Sequence, residues 1–359
     1  MTFVLAAAGT GGHVYPALAV ADALVARGVD RDDVIFFGGD RMEAAAVPNA
    51  GYQFIGFDLP RLHRSAAPSN LAIPWALWKT TRAMRAEMGR RGAAVVVGMS
   101  GYGTVPAALA ARMAGIPLIV QEQNASPGLA ARFASRRATA TFLGLPGPAE
   151  RLPRSRVVGN PLREEFSAYD RTARRPAARA RYGVNEDATV VGVLGGSLGA
   201  QVLNQSVAGI IDAWRGGPLE VIHLTGRAAH ENMAELAAGS SLPWHCMPFE
   251  DRMELFYAAA DLVVCRAGAM TISELAATGA PSVVVPLEAV GQQANAAALA
   301  GAGGALVVPQ AEAGQLPAVV VDLASDTLRL AEMSKAALKS ALPDAAEVVA
   351  DAILEETHG

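Results

Sequence analysis

The stretch Gly9-Thr10-Gly11-Gly12-His13 follows an apolar run at residues 3–8 and precedes an amphipathic run at residues 14–27. This order predicts a buried strand, a glycine-rich turn and the start of a helix. The N–H groups and partial positive charge at a helix N-terminus suit a phosphate or an oxyanion. The dinucleotide fingerprint G-x-G-x-x-G is incomplete, because Val14 stands where the third glycine is required. The stretch therefore predicts an anion-binding turn with an imidazole at the mouth of the helix.

Short apolar runs alternate with helical patterns through the first 161 residues. Continuous runs of this length are typical of strands that are buried in a parallel sheet. The predicted strands cover residues 3–8, 34–37, 94–98, 117–121 and 139–143, and the predicted helices cover 14–27, 104–114 and 128–135. This alternation indicates a doubly wound α/β domain that ends near the turn Gly159-Asn160-Pro161.

The same pattern restarts after a polar, arginine-rich segment at residues 171–181. A second glycine turn, at residues 195–199, lies between a predicted strand at 190–194 and a helix at 200–214. Further strands are predicted at 220–224, 244–247, 262–265, 282–285 and 305–308, and further helices at 253–260, 270–278, 294–300, 316–324 and 327–341. We expect two Rossmann-like domains, residues 1–161 and 162–342, with a last helix in residues 343–359 and a ligand cleft at the carboxyl ends of both sheets.

The composition excludes several classes of protein. With 359 residues, 52% of them hydrophobic, the chain can bury large cores and is not disordered. Its only two cysteines, Cys246 and Cys265, lie in apolar surroundings, which indicates reduced thiols and a cytosolic setting. No basic leader precedes the first apolar run, and no run approaches the ~20 residues of a spanning helix. We therefore expect a soluble or peripheral protein.

Charge is distributed unevenly along the chain, whose net charge is −4. Residues 1–161 contain 17 Lys and Arg against 10 Asp and Glu, whereas residues 162–359 contain 13 against 24. A basic first half predicts an anionic partner for that half, either a membrane, a nucleic acid or a phosphorylated ligand. Compositional drift is the alternative explanation.

An apolar segment at residues 71–79 interrupts the alternation and contains Trp75 and Trp78. Tryptophan beside aliphatic residues and cations is typical of an interfacial membrane contact. An ordinary helix with an exposed basic face explains the segment equally well, and the acidity of the second half favours the membrane. The flanking basic residues are Arg61, His63, Arg64, Arg82, Arg85, Arg90 and Arg91.

The motif at residues 265–274 combines the end of a strand, a turn at Gly268 and a helix start. The first helical turn suits a phosphate, and Glu274, one turn further, suits the two hydroxyls of a ribose. A plain helix cap, with Thr271 or Ser273 as the N-cap residue, explains the same sequence, and the chemistry alone slightly favours it.

Uncharged amides follow two other predicted strands. Gln292, Gln293 and Asn295 suit sugar hydroxyls, because an amide both donates and accepts. Residues 121–124 place four polar side chains at a strand end, and Arg163, just past the first domain, is a candidate phosphate ligand. A polar helix start and a surface ion pair are the alternative explanations.

Metal chemistry finds little support in the sequence. Asp30-Arg31-Asp32 matches the D-x-D pattern of some metal-dependent sugar transferases, but it lies in a polar loop, where solvated charge is expected. The chain contains no Cys or His spacing that is typical of a zinc site.

Taken in order, these motifs resemble the MurG family, whose members add N-acetylglucosamine to the lipid-linked muramoyl-pentapeptide of peptidoglycan synthesis. The resemblance implies a GT-B fold, in which two Rossmann-like domains face each other across a cleft and the last helix crosses back to the first domain. It runs from residue 3 to about residue 308 and is carried by residues 9–13, Pro16, Gly101-Tyr102, Glu122-Gln123-Asn124 and residues 159–163, 195–200 and 265–274.

The resemblance also implies the ligands and the location. The donor would be UDP-N-acetylglucosamine and the acceptor lipid I, the undecaprenyl-diphosphate-linked muramoyl-pentapeptide. No cofactor, no metal and no nucleic-acid partner are implied. The protein would lie peripherally on the anionic cytoplasmic face of the cell membrane.

The resemblance assigns a role to each motif. Glu274 would hold the ribose diol, Phe249 and the backbone of Glu250 would frame the uracil, and Gln292 would bind the sugar. The other implied donor contacts are Ala269, Met270 and Thr271 at a helix start, Ser197 and Arg163 at the diphosphate, and Thr10, Gly11, Gly12 and Asn124. The implied acceptor-side residues are Thr10, Tyr102, Asn124 and His13. His13 would be the catalytic base of an inverting transfer to the C4 hydroxyl, with a binding role as the alternative.

The sequence departs from the family pattern at Ala267, where serine is usual, at Gly291, where a polar residue is usual, and in the loop at residues 59–64. One rival is another GT-B enzyme that uses UDP-N-acetylglucosamine, with a different lipid acceptor or as a 2-epimerase. An epimerase would leave the basic aromatic surface unexplained. A second rival is an NAD-dependent oxidoreductase or a nonenzymatic nucleotide-binding module, and the incomplete glycine fingerprint argues against NAD.

Overall fold

The structure, a computed structural model, describes residues 1–59, 73–196 and 199–357. The chain divides into two compact units. The first contains Met1–Glu164 and the C-terminal segment from Leu342, and the second contains Glu165–Ala341. The chain thus enters the second unit after Glu164, whereas the sequence predicts that the first domain ends at residue 161. It returns to the first unit at Leu342, whereas the sequence predicts that the second domain ends at residue 342.

The first unit is built on a seven-stranded parallel sheet with the strand order β3-β2-β1-β4-β5-β6-β7. All residues of the first two strands are buried, as expected for a sheet that is covered on both faces. The strands are β1 (Thr2–Ala6), β2 (Val34–Gly38), β3 (Gln53–Gly56), β4 (Ala93–Gly98), β5 (Leu118–Glu122), β6 (Ala140–Leu143) and β7 (Ser155–Val157).

The C-terminal helix α14 (Ala345–Glu355) completes the first unit by packing against α1. Val349 and Ile353 of α14 are fully buried in the same apolar cluster as Val20 of α1. Arg27, which follows α1, forms an ion pair with Asp351 of α14. The other helices of this unit are α1 (Gly11–Ala26), α2 (Glu43–Asn49), α3 (Ile73–Arg91), α4 (Thr104–Ala114) and α5 (Leu129–Ala134).

The second unit repeats the architecture with a six-stranded parallel sheet in the order β10-β9-β8-β11-β12-β13. Its strands are β8 (Thr189–Leu194), β9 (Leu219–Leu224), β10 (Trp244–Met247), β11 (Leu262–Cys265), β12 (Ser282–Val284) and β13 (Ala305–Val307). Its helices are α6 (Arg171–Tyr182), α7 (Gln201–Ala213), α8 (His230–Ala238), α9 (Met253–Ala259), α10 (Ala269–Thr278), α11 (Gln293–Gly301), α12 (Leu316–Ala324) and α13 (Thr327–Ser340). The predicted class, two doubly wound Rossmann-like domains, is confirmed.

Helix α6 occupies the arginine-rich segment that the sequence analysis described only as polar. Its first turn is capped by Asp170, whose side chain accepts the N–H of Ala173 at 3.0 Å. Arg179 is buried and bonds to Asp261 at 2.9 Å, and Ala178 is buried on the same helix. The buried face of α6 therefore includes an arginine that is paired with a carboxylate, where an amphipathic helix usually has an apolar residue. For this reason hydrophobic periodicity does not reveal the helix.

Both cysteines are free thiols, as the sequence predicts. Cys265 is fully buried at the end of β11, and burial raises the pKa of its thiol well above the ordinary value. Burial also raises the pKa of Cys246 to about 11. Neither thiol is ionised at neutral pH, so neither has the thiolate that cysteine nucleophiles require.

Replacing Ile353 with alanine is expected to destabilise the first unit by about 2–4 kcal/mol, since the side chain is fully buried between α14 and the core. The measurement is the free energy of unfolding by urea denaturation. Glu347→Ala on the exposed side of the same helix is the matched control and should change stability by less than about 0.5 kcal/mol. Equal effects of the two substitutions would contradict the packing of α14 on the core of the first unit.

Candidate functional site

Each sheet reverses its strand order at one point, and several of the segments with predicted site residues lie there. In the first unit the reversal lies between β1 and β4, and in the second between β8 and β11. In doubly wound sheets, ligands bind beside the carboxyl ends of the strands at such a switch point. The segments that follow these four strands contain His13, Tyr102, the glycine turn at residues 195–199 and the motif at residues 265–274.

A buried carboxylate holds the glycine loop that follows β1. Glu43, the first residue of α2, accepts the N–H of Gly9 through Oε2 at 3.2 Å and the N–H of Gly39 through Oε1 at 3.0 Å. Gly9 has a φ of +112°, a conformation that side chains rarely allow. Glu43 was not predicted from the sequence. The available signal was an acid a few residues after Gly39, at the end of the second strand.

His13 is the third residue of α1, so its imidazole lies at the helix start. Its Nδ1 is 3.2 Å from Oε1 of Gln123, the residue that follows β5. Burial lowers the pKa of His13, and interactions with Glu122, Gln123, the Met99 backbone and Glu43 only partly offset this effect. The imidazole is therefore uncharged at neutral pH, as a general base must be.

The loop after β4 adopts an uncommon backbone conformation where it passes His13. Ser100 has a φ of +53°, in the left-handed region that is costly for a residue with a side chain. Its Oγ bonds to the carbonyl oxygen of Gln121 at 3.0 Å and lies 3.2 Å from Oε2 of Glu122. Backbone strain of this kind is concentrated at functional sites. The two hydrogen bonds of Ser100 connect the β4 loop to the end of β5.

Glu122 is a second buried carboxylate that organises this edge of the sheet. Its Oε1 accepts the backbone N–H of Asn124 at 2.9 Å and the Asn124 side-chain amide at 3.1 Å. Its Oε2 accepts the N–H of Gly128 at 3.1 Å. The carboxylate thus sets the orientation of Asn124, one of the residues that the sequence analysis selected.

The structure brings the predicted first-domain residues into one group of loops. A Cβ on Gly9 would lie 3.1 Å from the Tyr102 ring, and a Cβ on Gly101 would lie 3.2 Å from Nε2 of His13. Thr10 is the N-cap residue of α1, and Gly11 begins the helix. The helix therefore starts beside Tyr102, and this start consists of the predicted residues Thr10, Gly11, Gly12 and His13.

Arg163 belongs to the first unit, although the sequence analysis assigned it to the second domain. Its guanidinium carbon lies 5.6 Å from the centre of the Tyr15 ring, within the range of a cation–π contact. Tyr15 is on α1, two residues after His13. Arg163 therefore places a positive charge near the first turns of α1.

The glycine turn of the second unit follows β8. Gly196 and Gly199 have φ values of +84° and +74°, and the N–H of Gly199 donates to the carbonyl of Gly196 at 2.9 Å. Both positions therefore favour glycine. Ser197, the predicted diphosphate ligand, lies outside the described residues.

A buried polar network behind this turn was not predicted from the sequence. Nδ1 of His223 accepts the indole N–H of Trp244 at 3.3 Å, and its Nε2 lies 3.0 Å from Oδ1 of Asn204. Asn204 donates to the carbonyl of Thr225 at 3.0 Å, and a Cβ on Gly199 would lie 2.5 Å from that carbonyl oxygen. Burial lowers the pKa of His223 to about 4, so the network stays uncharged and supports the turn.

Helix α10 begins directly after the turn at residues 266–268. Its N-cap residue is Gly268, which has no side chain, so the expectation that Thr271 or Ser273 caps the helix is wrong. The predicted phosphate contacts Ala269, Met270 and Thr271 form the first turn of α10. The partial positive charge at such a helix N-terminus suits an anionic group.

Glu274 lies in the second turn of α10 and is partly buried. Its Oε2 accepts the hydroxyl hydrogen of Tyr257 at 2.8 Å. This bond orients the carboxylate, and each carboxylate oxygen can accept more than one hydrogen bond. The arrangement is consistent with a carboxylate that binds a diol.

The amides that follow β12 have backbone partners. Oε1 of Gln292 accepts the N–H of Leu287 at 2.9 Å, and the buried Asn295 donates to the carbonyl of Ala267 at 3.1 Å. Gly291 has a φ of +73°, so the departure from a polar residue places glycine where the backbone favours it. Asn295 therefore supports the loop before α10, a role that its position in the sequence did not indicate.

Phe249 and Glu250 follow β10. The Phe249 ring is 44% exposed, with the guanidinium of Arg227 5.8 Å from its centre. Burial alone would raise the pKa of the Glu250 carboxyl, but hydrogen bonds from Arg181, Arg252 and Tyr182 outweigh it and the pKa is lowered. Because the Glu250 carboxylate accepts hydrogen bonds from these partners, its backbone is the group that can contact a ligand.

The D-x-D pattern at residues 30–32 forms a local turn, in which Oδ1 of Asp30 accepts the N–H of Asp32 at 2.9 Å. Across the described ranges, no group of three or more His, Cys, Asp or Glu side chains is arranged to hold a metal ion. The local turn agrees with the interpretation of this pattern as loop charge.

The N-terminal turns of α3 carry an exposed aromatic pair. Trp75 and Trp78 are 66% and 48% exposed and stack at a centroid distance of 4.8 Å, and the guanidinium of Arg82 lies 4.9 Å from the Trp78 ring. The opposite face buries Met84 and Met88. The segment is thus a helix packed on its unit and also presents two tryptophans. Residues 60–72, with Arg61, His63, Arg64 and most of the loop at residues 59–64, lie outside the described part of the chain.

None of the helices in the described ranges combines the length and the apolar character that crossing a bilayer requires.

Comparison with known proteins gives consistent matches over both units. The glycosyltransferase family 28 N-terminal domain matches residues 3–143, and the glycosyltransferase family 28 C-terminal domain matches residues 190–349. A UDP-N-acetylglucosamine–N-acetylmuramyl-(pentapeptide) pyrophosphoryl-undecaprenol N-acetylglucosamine transferase from Halorhodospira halophila is 41% identical, over 100% of this chain and 99% of that protein. The corresponding protein from Clavibacter sepedonicus is 40% identical, over 98% and 95%. The crystal structure of Acinetobacter baumannii MurG superposes with a TM-score of 0.79 at 30% identity, over 99% and 100%.

Proposed function

Because the chain belongs to glycosyltransferase family 28, we propose that it transfers N-acetylglucosamine from UDP-N-acetylglucosamine to the C4 hydroxyl of the muramoyl-pentapeptide of lipid I, which gives lipid II for peptidoglycan synthesis. One observation carries the proposal. The N-acetylglucosamine transferases from Halorhodospira halophila and Clavibacter sepedonicus match almost the whole chain at 40–41% identity. The two doubly wound units agree with the GT-B fold of such enzymes.

The second unit would bind most of the donor. Positive charge at the start of α10 favours the diphosphate, and Ala269, Met270 and Thr271 provide that helix start. Glu274 would accept the hydrogen bonds of the ribose diol, since its carboxylate is already oriented by Tyr257. The other proposed donor contacts in the second unit are Phe249 and the backbone of Glu250 at the uracil, Gln292 at the sugar and Ser197 at the diphosphate. The first unit would add Arg163 at the diphosphate, and Thr10, Gly11, Gly12 and Asn124.

The first unit would bind the acceptor and supply the base. His13 would take the proton of the C4 hydroxyl while that oxygen attacks the anomeric carbon, and UDP leaves from the opposite face with inversion. Tyr102, Asn124 and Thr10 would line the acceptor side next to it. The start of α10 and Arg163 offer positive charge to the departing diphosphate, which is why we expect no requirement for a cofactor or a metal ion.

Transfer of radiolabelled sugar from UDP-N-acetylglucosamine to lipid I tests the function directly. We expect labelled lipid II and free UDP. Labelling of a different lipid acceptor would favour another GT-B transferase, and conversion of the donor to its 2-epimer without any acceptor would favour an epimerase. Either result, in place of lipid II, would overturn the proposal.

We also propose that the protein is peripheral at the cytoplasmic face of the cell membrane, where it reaches lipid I. The first half carries the excess of basic residues, and the exposed pair Trp75 and Trp78 lies beside Arg82. Aromatic rings and cations on one face are typical of binding to an anionic lipid surface.

Replacing Trp75 and Trp78 together with alanine is expected to weaken binding to vesicles that contain phosphatidylglycerol by about tenfold or more, which corresponds to ~1.4 kcal/mol or more. The apolar area that enters the interface decreases, whereas the Met84 side of α3 is unchanged. Co-sedimentation measures the bound fraction. Leu328→Ala, at an exposed apolar residue of the second unit, is the control and should leave binding unchanged. An equal loss in both variants would count against α3 as the contact.

A further inference from the structure

The side chain of Gln123 is buried between two groups that fix both of its ends. Its Nε2 donates to the carbonyl oxygen of Met99 at 3.3 Å, and its Oε1 lies 3.2 Å from Nδ1 of His13. Only 1% of Gln123 is exposed, and its own carbonyl accepts the Asn160 amide at 3.2 Å. The amide therefore has little freedom to turn.

The orientation of this amide follows from its partners. The N–H of Met99 is already donated to Ala6 at 3.0 Å, so the group that Met99 offers to Gln123 is its carbonyl oxygen. The reversed amide would place two acceptor oxygens against each other at about the same distance, which is unfavourable in a buried site. The oxygen of Gln123 is consequently the atom that faces His13.

Nδ1 of His13 thus faces a hydrogen-bond acceptor, Oε1 of Gln123. A neutral imidazole carries one N–H, and Nδ1 is the nitrogen from which that hydrogen can be donated to the Gln123 oxygen. The other nitrogen, Nε2, then holds the lone pair.

We propose that Gln123 is a positioning residue that holds His13 as its Nδ1–H tautomer, so that Nε2 is the nitrogen that accepts the proton of the acceptor hydroxyl. The inference rests on the proposed role of His13 as the base. In the step itself, the oxygen of the hydroxyl forms the bond to the anomeric carbon, the bond to the diphosphate breaks, and the proton passes to Nε2. Nδ1–H stays on Gln123 throughout.

The surroundings of Nε2 are consistent with that role. The Gly101 backbone passes over this edge of the ring, and a Cβ there would lie 3.2 Å from Nε2. Gly101 also has a φ of +75°, so two separate constraints exclude a side chain next to the lone pair.

An uncharged amide also suits the pH at which the base must work. Two carboxylates already act on the ring, Glu122 from the end of β5 and Glu43 from α2, and both raise the pKa of His13 against the stronger effect of burial. A third carboxylate, in direct contact with Nδ1, would stabilise the imidazolium further and reduce the fraction of free base. Glutamine selects the tautomer without adding that charge.

The first test is the tautomer of the full-length protein, measured by NMR with 15N-labelled histidine. The chain has six histidines, and the His13 signals are identified by their loss in His13→Gln. We expect a protonated Nδ1 and an unprotonated Nε2 at neutral pH. The reverse assignment would overturn the inference. Because this readout needs no substrate, absence of transfer in the radiolabel assay would contradict the proposed function and leave the tautomer result standing.

The second test compares substitutions at Gln123. Gln123→Leu removes the acceptor and is expected to lower kcat roughly 10²-fold, within the range of general-base catalysis, with the KM for UDP-N-acetylglucosamine nearly unchanged. Gln123→Glu keeps an acceptor, so it should retain more activity and move the acidic limb of the kcat/KM profile to higher pH. Gln121→Leu, which removes a buried amide bonded to Gly159, is the matched control and should leave the His13 tautomer unchanged. An unaltered tautomer in Gln123→Leu, or no shift of the acidic limb in Gln123→Glu, would assign Gln123 to packing alone.

Discussion

Replacing His13 with alanine is expected to lower kcat by roughly 10²–10⁴-fold, the contribution that general-base catalysis usually makes, while the KM for UDP-N-acetylglucosamine changes little. The physical reason is that the imidazole acts on the acceptor hydroxyl in the transition state and not on the nucleotide. It lies in the first unit, at the start of α1, whereas the proposed uracil, ribose and helix-start contacts belong to the second. Steady-state kinetics with lipid I and varied donor concentration measures both constants.

The pH dependence gives an independent check of the same residue. Burial lowers the pKa of His13 below its ordinary value of 6.5, so the wild-type kcat/KM should stay high until the pH falls below that value and should decline as the ring is protonated. The acidic limb that belongs to His13 should be missing in His13→Ala. His245→Ala, at a partly exposed histidine paired with Glu220 in the second unit, is the matched control and should retain both activity and the limb. A large loss of donor affinity in His13→Ala would place the imidazole on the donor side instead.

Glu274→Ala is expected to weaken UDP binding by about 10²-fold, measured by calorimetry with UDP alone. Hydrogen bonds to a charged group contribute about 1.5–3 kcal/mol each, and a diol loses two of them, partly compensated by water. About 2.7 kcal/mol corresponds to the expected hundredfold change. Glu274→Gln should lie between the wild type and the alanine variant, because it keeps one acceptor and loses the charge.

Two controls separate direct binding from indirect effects at Glu274. Tyr257→Phe removes only the hydroxyl that donates to Oε2 at 2.8 Å, and we expect a loss of less than about tenfold, since the carboxylate itself remains. Glu231→Ala, an exposed acid in the first turn of α8 in the same unit, should not change UDP affinity. Unchanged affinity in Glu274→Ala would remove this carboxylate from the ribose site.

The fold was predictable where burial leaves a periodic signal. The strands β1, β2, β4, β8 and β11 are short apolar runs, and the glycine turns after β1 and β8 lie where the sequence places them. The edge strand β3 is only partly buried and was missed, because it has no continuous apolar run. Helix α6 was missed since ion pairs with Asp261 bury its polar residues.

The candidate site was predictable as motifs but not as a hydrogen-bond network. His13, Asn124 and Glu274 stand out, because each polar residue follows a strand and a turn. Glu43 and Gln123 act through contacts between segments 34 and 110 residues apart, and no local spacing encodes these contacts. The helix cap at Gly268 was misassigned because a backbone without a side-chain cap has no sequence signature of its own.

The return of α14 to the first unit has a consequence for synthesis on the ribosome. The second unit is inserted within the first, so the first unit is interrupted after Glu164 and resumes only at Leu342. Until α14 emerges, the apolar face of α1 that packs against Val349 and Ile353 has no partner. The unit whose translation begins first is therefore completed last, and that apolar face stays uncovered by α14 while the second unit is being synthesised.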